Sequence, residues 1–254
     1  LKDQPLVEAA IRHTLGETYN QLSRYQESKA QFERELAVRT AVSGRDDRLT
    51  LAAAYGLGAS FVQLGDIPSA LRVLGETLER QTAVLGKLDP DTLLTRSLYG
   101  FAVQLSGDEE QALTIAREVL RDQSESIGPN HKATLDTMSG IADVLQDLGR
   151  LDEAEQVARD LVGRATAAQG PDGPTTLVGE SILASILNDL GRYAEAESVG
   201  RRVYEAKVRV YGPDHSSSIQ TANVLALSLE NLDRFDEAVD LLKQAAEATP
   251  PIKR

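Results

Sequence analysis

The sequence predicts an all-α fold, a right-handed α-solenoid of six helical hairpins. Three observations predict it. First, IGPNHKATL (Ile127 to Leu135) is echoed as YGPDHSSSI (Tyr211 to Ile219), and half of that spacing, 42 residues, carries glycine through Gly44, Gly86, Gly128, Gly170 and Gly212. Second, the same step runs through three further series: Thr50, Thr92, Thr134, Thr176 and Ser218; Ser28, Ala70, Ala112, Ala154, Ala196 and Ala238; and Gly16, Gly58, Gly100, Ala142, Ala184 and Ala226. Third, apolar residues within each step recur at three- and four-residue intervals and stop at a glycine, the signature of amphipathic helices with defined ends. A phrase repeated at a fixed interval is a unit of architecture reused, and stacked helical pairs bury their apolar faces only against one another.

The repeats read as 5–43, 44–85, 86–127, 128–169, 170–211 and 212–248, one array over 1–254 with 249–254 as a tail. The first turns at Ser23, at the place held by Gly65 in the second and by Gly107, Gly149 and Gly191 in the next three. Glycine there can take the left-handed conformation that closes a helix. In the third repeat, Asp89 in LDPDTLL can cap a helix and Pro90 can occupy its first turn. Ser106 in that repeat replaces a leucine found elsewhere, which predicts a local shift in packing. The fourth shows the design most plainly. Leu135, Ile141, Val144, Leu145 and Leu148 form one helical face, Gly149 ends it, and LDEAEQVARDLV (Leu151 to Val162) returns with acids in its first turn, where the helix dipole favours them. Each helix has roughly 17 residues and is about 25 Å long. Gly170-Pro171 resets the chain for the fifth repeat. Asp233 makes the last turn, and the sixth repeat is followed by no further helical pattern, which leaves its outer apolar face to be only partly covered. The small-residue series mark places where two helices approach closely.

Composition narrows the function. Hydrophobic residues make up 41% of the 254, enough for a sizeable core, while aromatics are 4% and tryptophan is absent. The absence of cysteine excludes disulfides, thiolate metal sites and cysteine nucleophiles. A net charge of -12 argues against general nucleic-acid binding, which needs a basic face. No apolar run is long enough to span a bilayer and no signal peptide is visible, so the expectation is a cytoplasmic protein. The chain begins at Leu1, which reads as an excerpt from a longer protein. His131 and His215 each stand alone, and the equivalent position of the fifth repeat is Gly173, so they read as helix-entry residues and no metal or cofactor is expected. GASFVQLG (Gly58 to Gly65) imitates a serine elbow, but Ser60 falls inside a helix. No catalytic cluster emerges and the chain does not read as an enzyme.

LGRLDEAE (Leu148 to Glu155), LGRYAEAE (Leu190 to Glu197) and LDRFDEAV (Leu232 to Val239) resemble tetratricopeptide repeats, and the 42-residue length with GPDH linkers resembles the kinesin light chain variety. The opening VEAAIRHTLGETYNQLSRYQES (Val7 to Ser28) resembles the first repeat after the kinase domain of some bacterial serine/threonine kinases. The resemblance implies a superhelix whose first helices line a concave groove. Carried over residue by residue, it implies that Tyr55, Val62, Leu94, Phe101 and Gln104 form an apolar stretch of that groove, followed by Asp143, Gln146, Asp147, Asn188, Asp189 and Asn223 as an acidic and amide-rich stretch. No lysine or arginine falls on the implied groove. The amides at Gln104, Gln146, Asn188 and Asn223 are expected to bond a peptide backbone. The implied function is a protein-interaction module of a larger signalling protein, taking a peptide with a bulky apolar residue near basic ones. The alternative is a structural spacer or self-association element beside a catalytic domain; oligomeric state is left open.

Overall fold

A computed structural model describes residues 4–248. The tail expected at 249–254 lies outside them. The described residues hold twelve helices and no strand: α1 (Pro5–Gln21), α2 (Tyr25–Ser43), α3 (Arg48–Gln63), α4 (Ile67–Val84), α5 (Pro90–Leu105), α6 (Glu109–Ser126), α7 (Lys132–Asp147), α8 (Leu151–Gln169), α9 (Pro174–Asp189), α10 (Tyr193–Tyr211), α11 (Ser216–Glu230) and α12 (Phe235–Ala248). They pair as hairpins, the chain being an all-α solenoid built of two compact units, Leu1–Ser126 and Ile127–Arg254. Within each unit every helix packs on the next in sequence. The first helices of neighbouring hairpins also touch, α1 on α3 and α3 on α5 in one unit, α7 on α9 and α9 on α11 in the other. Among the described residues no helix is long and apolar enough to cross a membrane.

All six hairpin corners share one backbone device. Gly65 has φ +73°, and its N–H donates to the carbonyl of Val62 while that of Asp66 reaches Phe61, 3.0 Å each, closing two orphan carbonyls of the ended helix. Ser23 and Asp233 adopt the same left-handed conformation, φ 56° and 59°, with the equivalent pairs of bonds, so a shared geometry overrides the steric cost of a side chain. Ser106 caps α5 with the same backbone angles as the leucines at this place, and its Oγ donates to the carbonyl of Val103 at 2.6 Å. The backbone of the helix end is therefore the same at this position as in the other repeats.

The entry of the first helices repeats as well. Asp47 and Asp89 accept the N–H two residues on, at 3.1 and 2.9 Å, and His131 and His215 do so through Nδ1 at 3.2 Å. Gly173 has no side chain to offer, and Gln169 Oε1 takes over, accepting from the N–H of Thr175 at 3.1 Å. The threonine series ties this entry to the linker: Thr134, Thr176 and Ser218 each donate to the carbonyl of the preceding linker glycine at 2.8 Å. The histidines thus serve as helix caps.

The small-residue series are contact points. A Cβ at Gly58 would stand 2.5 Å from Leu74 Cδ2, and one at Gly16 would stand 2.8 Å from the Phe32 ring. Ser28 and its five alanine equivalents are all buried. Ser28 Oγ donates to the carbonyl of Gly16 at 2.9 Å, which joins the two series across α1 and α2. At the far end of the sixth hairpin, Phe235 and Val239 of α12 are half exposed, as the sequence suggests.

Candidate binding faces on the first helices

In the unit Leu1–Ser126, α5 carries Leu94, Phe101 and Leu105 at seven- and four-residue spacing, one stripe of the helix, and each is about half exposed (51%, 47% and 48%). Tyr55 of α3 is half-buried against the core formed by Phe32, Leu57, Phe61 and Val62. Burial pushes its phenol upward from the ordinary value, and the charge of Glu17 on α1 adds to that. Three large apolar side chains on one helix are thus held in water as one stripe rather than as scattered exposure.

Val62 does not share that surface. It is 6% exposed and belongs to the core. The reason lies in its register: Val62, Gln104, Gln146 and Asn188 stand one period apart, and within the units this position, at Val62, Gln146 and Asn188, lies against the neighbouring first helix. Asn188 of α9 is buried, donating through Nδ2 to the Val224 carbonyl at 3.0 Å and accepting from Ser228 Oγ at 2.8 Å, both on α11. Gln146 of α7 donates to Ser185 Oγ at 2.9 Å and Asp189 Oδ2 at 2.5 Å, both on α9. Gln146 and Asn188, two of the amides expected to meet a peptide backbone, instead stitch hairpin to hairpin. Gln104 holds the same register, half-buried on α5. The apolar Val62 amid three amides was the signal in the sequence, since an exposed peptide-reading position has no reason to accept valine. Asn223 belongs to a different series, with Tyr55 and Ser181, and is exposed on α11.

In the unit Ile127–Arg254, Asp143 and Asp147 of α7 and Asp189 of α9 are exposed. Crowding by surrounding protein pushes the Asp143 carboxyl up to about 6, and Asp147 reinforces the shift by repulsion. A raised folded-state value means the native protein takes up a proton before the unfolded chain does. Stability contributed by this site therefore grows as pH falls through about 6 and is missing at pH 7. Asp143→Asn should stabilise the protein at pH 7 by about 1 kcal/mol or less, water having access to the group, and should change nothing at pH 3. Urea unfolding of both proteins at the two pH values checks this, and equal stability at pH 7 would count against it.

One cation escaped the sequence reading. Lys207 rises from α10, and its Nζ donates to Ser181 Oγ of α9 at 2.8 Å, Thr221 Oγ1 of α11 at 2.9 Å and the Ser217 carbonyl at 3.4 Å. It is buried among neutral partners, and burial brings its ammonium down to about 8. A lysine from a second helix thus reaches the layer directly beneath the first-helix face, which a list of first-helix residues cannot reveal.

A family model described as tetratricopeptide repeat matches residues 7–83, 91–167 and 174–250. None of the curated proteins matches the chain. Among solved structures, a variant of the nearly identical TPR-like repeats of a Podosopora anserina kinesin light chain is 19% identical with a TM-score of 0.72, covering 82% of this chain and 97% of that one. BtubC (BKLC) from P. vanneervenii is 15% identical with a TM-score of 0.71, over 98% and 95% of the two chains. A Rap protein complexed with Competence and Sporulation Factor is 9% identical with a TM-score of 0.66, over 96% and 75%. These likenesses are likenesses of fold.

Proposed function

The chain belongs to the tetratricopeptide repeat family, and from that premise we propose that it is a non-catalytic interaction module of a larger cytoplasmic signalling protein, holding a peptide or partner domain on its first-helix faces. The observation that carries this reading is the Leu94, Phe101 and Leu105 stripe, which leaves three large apolar side chains in water. A bulky apolar side chain of the partner packs on α5 beside Tyr55. The face of α7 and α9, with Asp143, Asp147 and Asp189, attracts basic residues of the partner, and Asn223 adds an exposed amide on α11. That a Rap protein of similar fold has been solved complexed with a factor supports this mode of action.

The test begins with peptides selected for binding from a random display library. Phe101→Ala should weaken their binding by ~2–4 kcal/mol at any ionic strength, as expected for a ring buried at a hot spot. Asp143→Asn with Asp147→Asn should mainly slow association and flatten its salt dependence, since exposed charges are screened over ~10 Å at 0.1 M salt. Equal losses from Arg201→Ala and Arg209→Ala on α10 would move the site to the second helices. A dimer seen by light scattering and abolished by Phe101→Ala would favour self-association instead.

A further inference from the structure

A pocket of about 290 Å³ opens among α2, α3 and α4, away from the first-helix stripe. Leu36, Leu51, Leu57 and Val73 line it together with the buried Thr50 and Thr77, and Arg45, Arg72 and Arg80 stand around it with Glu76. Arg80 Nη1 lies 2.7 Å from Asp46 Oδ1, and Arg72 lies 3.9 Å from Glu76. The three arginines set against Asp46 and Glu76 leave one net positive charge, on a chain whose total is -12. Arg45 makes no ion pair with any described residue.

At two other junctions the same place carries a charged side chain. One step on, among α4, α5 and α6, the place of Ala54 is taken by Arg96, that of Arg80 by Asp122 and that of Arg45 by Lys87. There Arg96 Nη1 meets Asp122 Oδ2 at 2.6 Å and Lys87 Nζ meets it at 2.9 Å, so the space is filled by an internal ion cluster. Among α8, α9 and α10, the place of Ala54 is taken by Glu180, which pairs with Arg202 at the place of Glu76. In both junctions a charged side chain occupies the space and finds its opposite. Beside Ala54 the space is open, and the neighbouring positions 45 and 80 both carry cations. The complement is an anion with an apolar body. A volume at the lower end of the range for ligand pockets limits it to a small one.

We propose that this pocket binds a medium-chain aliphatic carboxylate, its hydrocarbon body against Leu36, Leu51, Leu57 and Val73 and its carboxylate beside Arg45 and Arg80. The proposal does not depend on the peptide-binding reading. Octanoate, titrated into the 254-residue chain and followed by amide chemical shifts, should bind with a dissociation constant on the order of 1 mM or tighter and shift resonances of α2, α3 and α4. Octanamide, uncharged but of the same shape, should bind at least about tenfold more weakly, and Arg45→Ala should cost octanoate a similar factor. Ala54→Arg should abolish binding by filling the space as Arg96 does. Because Arg45 is exposed in a linker, Arg45→Ala keeps the proposal testable if Ala54→Arg fails to fold. No shifts with octanoate at about ten times that concentration, equal binding of octanamide, or undiminished binding by Arg45→Ala would overturn it. So would a leucine-terminated peptide that enters the pocket where octanoate does not.

Discussion

Asp122→Ala should destabilise the unit Leu1–Ser126 by about 3–5 kcal/mol, the cost of leaving one member of a buried ion pair without its partner. The carboxylate side chain is 3% exposed and meets Arg96 at 2.6 Å, Lys87 at 2.9 Å and Arg121 at 3.2 Å. Lys87 and Arg121 can turn to water when it is removed. Arg96 cannot, being 9% exposed, and it would keep only a 3.5 Å contact with the Lys87 carbonyl. Replacing both Arg96 and Asp122 with apolar residues of similar volume should recover most of the loss, since such pairs contribute little beyond satisfying each other. Burial pulls the Asp122 carboxyl upward, but hydrogen bonds from Lys87, Arg96 and Arg121 outweigh it and hold the group below its ordinary range. A depressed folded-state value places its stabilisation above the ordinary carboxylate range and removes it as pH falls through the depressed one, so wild type and variant should converge in strong acid. Urea unfolding at neutral and acid pH measures both effects. A loss below about 1 kcal/mol at neutral pH would show that Arg96 finds water.

Phe32→Ala should cost a similar amount, about 3–5 kcal/mol, for a different reason. The ring is 1% exposed on α2 and is flanked by glycine on both sides. A Cβ at Gly16 of α1 would come within 2.8 Å of it, and one at Gly56 of α3 within 2.5 Å. His13 meets its edge at 5.7 Å between centroids. The ring therefore occupies space that two neighbouring helices leave empty. Alanine would remove the transfer energy of the ring and also leave a cavity, because two helix backbones cannot close over it without repacking against everything else they touch. Phe32→Leu, which refills part of the space, should cost less than half as much. A calorimetric melt of the three proteins ranks them, and an alanine variant as stable as the leucine one would show that the helices collapse.

The sequence carried the hairpins, corners and caps because their causes are local. A left-handed residue at 23, 65, 107, 149, 191 and 233, or a cap at 47 and 89, depends on a few neighbouring peptide groups, so one period of 42 reveals them all. The small residue at Gly16 was legible for the same reason, but its companion Gly56 was not, because its successors are Leu98, Gly140, Ile182 and Val224, a series with no consistent size. That glycine answers to Phe32 alone. Of the candidate face, the exposure of Leu94, Phe101 and the three aspartates was legible, while the burial of Val62 and Asn188 between helices was not. Whether a side chain faces solvent or the next hairpin changes within a fraction of a helical turn, finer than a family pattern resolves. Lys207 and the pocket at Ala54 depend on which side chain a distant helix offers. A single repeat does not contain that information.

The seam between first helices also has mechanical consequences. At Val62 it is apolar, and dispersion contacts lose little when two surfaces slide by a fraction of an ångström. At Asn188 it is pinned by two directional hydrogen bonds to α11, which weaken steeply when misaligned. Under a shearing load the contact at Val62 should yield gradually, whereas α9 and α11 should resist through bonds that fail over a short displacement. The one seam resembles a spring and the other a latch, and the exchange of valine for asparagine at one register position changes a dispersion contact into a directional one.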